Sequence, residues 1–445
     1  MEKAGKPSVG IVSVGFERDA MATARAFGLP QFRYALFPEV LTGLTPERIK
    51  RDTADAVDRM VEVLTTDAGG NGNTTAAKPK ATDRLKIDAT DSYDAFEKMN
   101  RQFLELEWSD GFPIIPATPE KVERMLKGAT RSAEDVVTVL EPGNGLATVE
   151  KIAINAVMAG CEPAHLPILI AACEAYTGLG DRVRAMAMST STHAPLMVIN
   201  GPIGREIGIN SKRCAMGPGA QSRHNIVLGR ALRLIMMNVG HCYPGHMDLD
   251  TIGTARKFGM CVAENEEETP WQPLHVEKGF DQEESTVTLF ATRDEIDVND
   301  LDNWTPEGVL NSMAFFSAIP GGEYLDQGHP GWDPYYRLLL MFGPEHANIC
   351  GTAGWSKNAV REYVYNRCRT SARRLLNKVL CTPDKIRPQW EWLLKLSEWE
   401  QDQIMLPVMG SASNIEMVVV GGPAGKNLIY RCIAPPSTAI IKDRA

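Results

Sequence analysis

The sequence has no run of about 18 uninterrupted apolar residues, so no segment reads as a membrane-spanning helix. Its start, MEKAGKPSVGIVSVGFERDA, holds too short an apolar stretch for a secretory signal, and a soluble cytoplasmic protein is the expectation. No Lys/Arg-rich run stands beside an aromatic platform and the net charge is −9, which argues against nucleic acid or an anionic membrane as partner. The nine cysteines include no CxxC pair and scatter from Cys161 to Cys432, so a disulfide framework is not expected and most are read as small buried apolar side chains. Neither a Walker loop nor GxGxxG occurs, which sets nucleotide binding aside.

What is present is the composition of a globular protein, 44% apolar and 23% charged, in a chain of 445 residues, long enough for more than one unit. Residues 1–65 read as a small αβ appendage: the strand SVGIVSV, a helix ending at Gly28, the strand FRYALF and the amphipathic TPERIKRDTADAVDRMVEVL. Residues 66–90, rich in Gly, Asn, Thr and Lys and free of aromatics, read as a flexible linker. Residues 91–445 read as the main α/β body, in which helices are layered on mostly buried strands.

Three segments of that body share a design: PLMVINGPIG, RLLLMFGPEH and EMVVVGGPAGK each carry an apolar run of strand length straight into glycine and proline. A short run without alternation suits a strand covered on both faces, and ligands in open α/β sheets lie beyond the carboxyl ends of strands. The Gly-Pro loops are therefore the expected working surface, and their recurrence hints at a diverged internal repeat.

Residues with chemistry cluster between 188 and 265. His193, after four hydroxyl residues, is a candidate general base, and Asn200 ends the following strand. The loop KRCAMGPGAQS precedes a helix and carries Lys212 and Arg213, so its free N–H groups and basic side chains make a candidate anion site. His224 and Asn225 begin that helix, and Arg230 and Asn238 lie further along it, as candidate substrate-binding groups; Lys257 precedes the next strand. Cys214, between basic residues, is the better thiol nucleophile, and Cys161, at a helix end, the poorer. Alternation sends Glu264 and Glu266 to one side, as paired acid/base carboxylates require. Lys357 and Lys426 are candidates for binding a carboxylate or forming a Schiff base. His241 and His246, with Cys242, Asp248 and Asp250 nearby, are weak candidates for a transition metal; no other cofactor is implied.

The segment from Gly15-Phe16-Glu17-Arg18-Asp19 through DAVDRMVEVL resembles the C-terminal part of the UGSC family of selenoproteins and their cysteine homologues. More distantly it is similar to the end of selenoprotein B of the glycine, sarcosine and betaine reductases. In that family the reactive selenocysteine or cysteine lies upstream of the strand matched by SVGIVSV, whereas here the first cysteine is Cys161. The body, at ATVEKIAINAVMAGCEP, VINGPIGREIGIN and AENEEETPW, resembles bacterial proteins associated with UGSC-type partners. The resemblance implies chemistry at a C–S or C–N bond; with the anion-binding groups named above, the expectation is an enzyme of thiol-linked cleavage or redox chemistry acting on a small carboxylate-bearing molecule. A lyase or hydrolase using His193 with Glu264 or Glu266, with or without a metal, is the alternative; a non-catalytic subunit docking a redox partner protein is another. The undersized N-terminal unit suggests a homo-oligomer.

Overall fold

The apolar runs that end in glycine and proline become the most deeply buried strands of a mixed sheet, and the fold is α/β. The computed structural model describes residues 8–14, 32–37, 46–65, 85–319, 336–379 and 388–442, with a few single positions between them. In the N-terminal part, β1 (Gly10–Ser13) pairs in parallel with β2 (Tyr34–Phe37), and the helix Pro46–Thr65 follows. The helix expected after β1 and the linker up to residue 84 fall largely outside the described residues.

The body begins with the helix Ser92–Glu105, whose first turn is capped by Asp91 accepting from Tyr93 and Asp94 N–H. The hairpin of β3 (Val136–Leu140) and β4 (Gly145–Thr148) leads into the helix Val149–Ala159, which Thr148 caps and Gly160 ends in the left-handed conformation. The helix Leu166–Gly178 is apolar and buried from Leu166 to Cys173, and only Glu174, Thr177 and Gly178 reach the surface.

The main sheet contains β5 (Ala194–Asn200), β6 (Met260–Ala263), β7 (Thr286–Asn299) and β8 (Arg337–Phe342). A separate antiparallel pair, β9 (Arg369–Ser371) with β10 (Met405–Pro407), lies outside it. The sheet is completed by β11 (Ile415–Val419), β12 (Lys426–Cys432) and β13 (Ser437–Ile440), in the order β11-β8-β12-β7-β5-β6 with β13 beside β7.

Alternation along these strands sorts three apolar clusters. Ala194, Leu196 and Val198 share one cluster with Met260, Val262, Phe290, Leu339, Met341, Val418 and Tyr430, so the sheet curls and packs this face on itself. The opposite face of β5, β6 and β7, through Met197, Ile199, Cys261 and Leu289, packs on the helices Val149–Ala159, Leu166–Gly178 and Arg223–Asn238. The opposite face of β8, β11 and β12, through Leu338, Leu340, Met417 and Ile429, packs on the helices Pro306–Ser317, Pro344–Thr352 and Lys357–Arg367. Each such residue contributes about 1.5–3 kcal/mol of burial. An aspartate at Leu340 would forfeit that and bury an unpaired charge.

The order also divides into two like halves. In one, β5 and β6 are parallel neighbours and β7 runs antiparallel beside β5; in the other, β8 and β11 are parallel and β12 runs antiparallel beside β8. The halves join where β7 lies antiparallel to β12 and β13. The ladders match in detail, since Glu264 N–H donates to Ile199 O at 3.0 Å and Val420 N–H donates to Phe342 O at 2.9 Å. Aligned this way, Asn200 corresponds to Gly343, Glu264 to Val420, Asn265 to Gly421 and Glu266 to Gly422. The two halves thus share a strand arrangement. At their carboxyl ends the two edge strands are stitched together, Asn265 N–H donating to Val419 O at 2.8 Å.

Candidate functional site

The carboxyl ends of β5 and β6 open onto a cavity of about 440 Å³, lined by Gly201, Arg205, Lys212, Glu264, Asn265 and Glu266 among others. Its walls follow from the chain's turns. Gly201 has φ 84°, and an added Cβ would fall 2.2 Å from Glu284 O, so only glycine lets the chain leave β5 here. The short helix Pro202–Glu206 forms one side, and the loop through Asn210–Lys212 forms another. Asn225 fixes that loop: its Oδ1 accepts from Asn210 N–H at 2.9 Å, and its Nδ2 donates to Asn210 O at 2.8 Å. The Gly-Pro loop after β11 backs the same loop, with Gly421 N–H donating to Ser211 O at 2.8 Å and Gly422 lying against Arg213.

Two carboxylates meet at one amide. Asn200 Nδ2 donates to Glu264 Oε2 at 2.6 Å and to Glu266 Oε1 at 3.0 Å. Glu266 Oε1 also accepts from Gly201 N–H at 2.7 Å, and Arg205 stands 3.5 Å from its other oxygen. Glu264 Oε2 takes a second bond from Leu274 N–H at 2.8 Å, at the start of the turn Leu274–Glu277. Burial pushes the Glu264 carboxyl above its ordinary value; Lys357, Leu274 N–H and Asn200 oppose the shift, and Glu266 adds to it. Glu264 is therefore suited to hold a proton where a solvated glutamate would not. Lys357 is itself buried behind this site, its Nζ donating to Glu277 Oε2 at 3.1 Å and to Met417 O at 3.2 Å, while Arg361 also pairs with Glu277.

The thiols stand apart. Cys161 is half-buried, its Sγ 3.5 Å from Val227 O, and desolvation drives its titration far above the ordinary thiol range. Cys214 is exposed in a left-handed turn with φ 55°, two residues beyond the lining Lys212, and its carbonyl accepts from Ser222 Oγ at 2.5 Å. The basic residues of its loop have acidic neighbours: Lys212 lies 3.0 Å from Glu267, and Arg223 lies 2.6 Å from Glu162.

Several expected site residues lie elsewhere. His193 precedes β5, at the end of the strand opposite Asn200, so roughly 20 Å separates them at about 3.3 Å per residue. Its Nδ1 donates to Ala185 O at 2.9 Å, and burial lowers its basicity. Lys257 lies at that same far end, bound to Asp248 at 2.7 Å and Asp250 at 2.8 Å. Arg230 is held by Asp110 at 2.7 and 2.8 Å, and Asn238 donates to Asn155 Oδ1 and Trp108 O. His224 Nδ1 faces His165 Nε2 at 2.8 Å; because His165 Nδ1 accepts from Glu162 N–H, His165 is the donor, and burial lowers its pKa to about 4. Lys426 is exposed, 3.4 Å from Asp297. His246 pairs with Glu107 at 3.2 Å, His241 packs against Gly143, and no metal-holding group of His, Cys, Asp and Glu occurs among the described residues.

Two neighbours of the carboxylates escaped the sequence reading. Asn265 sits in AENEEE between the two glutamates, where position alone could have flagged it. His275 is wholly buried with Nδ1 3.7 Å from Glu266, and nothing in TPWQPLHVE announces it.

Residues 1–66 match the model of the UGSC family. That match takes in β1, β2 and the helix Pro46–Thr65 and contains no residue of the cavity. No curated protein matches the chain. No helix among the described residues is long and apolar enough to cross a membrane.

Proposed function

We propose that the chain is an enzyme of the lyase or hydrolase type whose proton transfers are carried by Glu264 and Glu266 in the cavity at the ends of β5 and β6. The observation that carries this reading is the pair of carboxylates bridged by Asn200 Nδ2, one buried and driven toward its protonated form, the other held by a backbone N–H. Environments that push two carboxyls apart are how acid and base roles are divided. Glu264 acts as the acid that protonates a leaving group; Glu266 accepts a proton from the nucleophile or from the substrate carbon. Asn200 and Gly201 N–H hold the pair in place, and no redox step is required.

The test is turnover by the whole protein on a panel of small hydrolysable and eliminable compounds. Glu264→Gln and Glu266→Gln are each expected to lower kcat by about 10²–10⁴-fold. Undiminished turnover in either variant would falsify the assignment. A second reading, thiol chemistry at Cys214, has the support of its exposure beside Lys212. Full activity in Cys214→Ser removes it, and loss there with Glu264→Gln active favours it.

A further inference from the structure

A second cavity, of about 500 Å³, lies at the amino end of β11, where Ile415 and Glu416 line it together with Glu277, Asn358 and Arg361. The cavity of the carboxylate pair meets β11 at its other end, where Asn265 N–H reaches Val419 O, roughly 13 Å further on at about 3.3 Å per residue. No residue lines both.

Arg361 is a buried cation in this wall, 8% exposed. Its Nε donates to Ile415 O at 2.8 Å, and its Nη1 donates to Glu277 and, at 3.2 Å, to Asn358 Oδ1. Nη2 carries no hydrogen bond, and unlike the unpaired atoms sealed inside the protein it keeps accessible surface. Other donors of the wall are also unused. Asn358 Oδ1 is taken by Arg361, which leaves Nδ2 free. The hydroxyls of Ser411 and Ser413 lie 3.0 Å apart, and whichever donates, the O–H of the other is left over.

The buried charges behind these donors do not balance. Lys357, 7% exposed, and Arg361 share one carboxylate, Glu277. Lys278 is taken up by Glu416 at 2.8 Å. Glu264, which Lys357 also reaches electrostatically, is driven by burial toward its neutral form and does not supply the missing charge. Glu362 is exposed, where solvent and salt screen it. Two buried cations against one carboxylate leave a positive charge without a counter-ion, which is costly away from water.

We infer that this cavity is an anion site that takes a small molecule by its carboxylate, the two oxygens received by Arg361 Nη2 and Asn358 Nδ2. The ligand's single negative charge completes the set of Lys357, Arg361 and Glu277. A doubly charged phosphate fits less well, because Glu277, Glu362 and Glu416 share the wall. The site is additional to the cavity of the carboxylate pair, and turnover plays no part in its test.

The experiment is calorimetric titration of the full chain with sodium acetate, acetamide and inorganic phosphate at matched ionic strength, in wild type, Arg361→Lys, Asn358→Ala and, from the other cavity, Arg205→Ala. Acetate is expected to bind about tenfold or more tighter than acetamide, which lacks the charge, and tighter than phosphate. Arg361→Lys is expected to weaken acetate about tenfold or more, since an ammonium cannot serve Ile415 O, Glu277 and the ligand as the planar fork does. Asn358→Ala should weaken it severalfold, and Arg205→Ala should match wild type. If Arg361→Lys does not fold by circular dichroism, Asn358→Ala decides. Acetamide or phosphate equalling acetate, no acetate binding at all, binding indifferent to Arg361→Lys and Asn358→Ala, or binding lost in Arg205→Ala would each overturn the inference.

Discussion

Where β5 and β6 end, the chain places Asn200, Glu264, Asn265 and Glu266; where β8 and β11 end, the matching positions hold Gly343, Val420, Gly421 and Gly422. The backbone plan is the same and the polar groups are not. In the second half the glycines let that loop lie against Arg213 and back the loop that lines the first half's cavity. Fold and chemistry are thus separable in one chain: two like halves position two sets of strand ends, and only one set carries a carboxylate pair.

The most severe way to break the comparison is to give the first half the second half's residues. Asn200→Gly with Glu264→Val is expected to remove turnover by about 10²-fold or more while the far-ultraviolet spectrum stays native, because the replaced residues end strands whose ladders remain. Spectrum and rate measured on one preparation check this.

Next in size is the support behind the site. Glu277→Gln leaves Lys357 and Arg361 without their carboxylate, and the loss of a buried partner costs about 3 kcal/mol. Urea unfolding would read it as a lower midpoint at unchanged slope.

A smaller effect is expected from Val420→Glu, the reverse transplant. It brings a carboxyl to half-buried ground with no Asn200 counterpart to donate to it, at a cost of about 1–3 kcal/mol and with no second active site gained. New turnover from that end would show the halves to be more alike than their residues.

The pH response sharpens the same contrast. Folding raises Glu264 above its unfolded value, so its contribution to stability is full below the unfolded carboxyl range and is lost as pH rises through the raised value. The charges about it are Glu266, with Arg205 beyond, and Lys357. Thermal melts should therefore fall on the alkaline side of that transition, and Glu264→Gln, neutral throughout, should flatten the fall. The least disruptive probe is thiol labelling of the native protein: Cys214 should react while the buried Cys173, Cys261 and Cys432, pushed up by burial, remain untouched.

Much of the scaffold could be read from residue order because burial on both faces leaves a plain mark: MVIN, LLLMF and EMVVV run apolar without alternation and stop at glycine and proline. β7 hid itself. Its first half is fully buried yet carries Thr286, Thr288 and Thr292, whose polarity is answered in part by Thr438 at 3.0 Å and Ala194 O at 2.7 Å, partners far away in sequence. Glu264 and Glu266 meet at Asn200, but β6 ends at Ala263 and Glu266 lies in the turn beyond it, so the alternation expected of them is not what brings them together. Which end of a strand a neighbouring histidine or lysine serves is harder to see. His193 and Lys257 stand next to β5 and β6 in sequence but at their amino ends, and there Ala185 O and the aspartates engage them.

One bond near the cavity has a consequence for measurement. Asn265 sends its main-chain N–H across to Val419, closing the seam between the two halves, while the same residue lines the cavity. A molecule that binds only with this seam closed shifts the unfolding equilibrium by mass action, about 2.7 kcal/mol at a hundredfold excess over its dissociation constant. Melting temperature then becomes a reporter of occupancy, and a compound library can be searched by heat before any reaction is known.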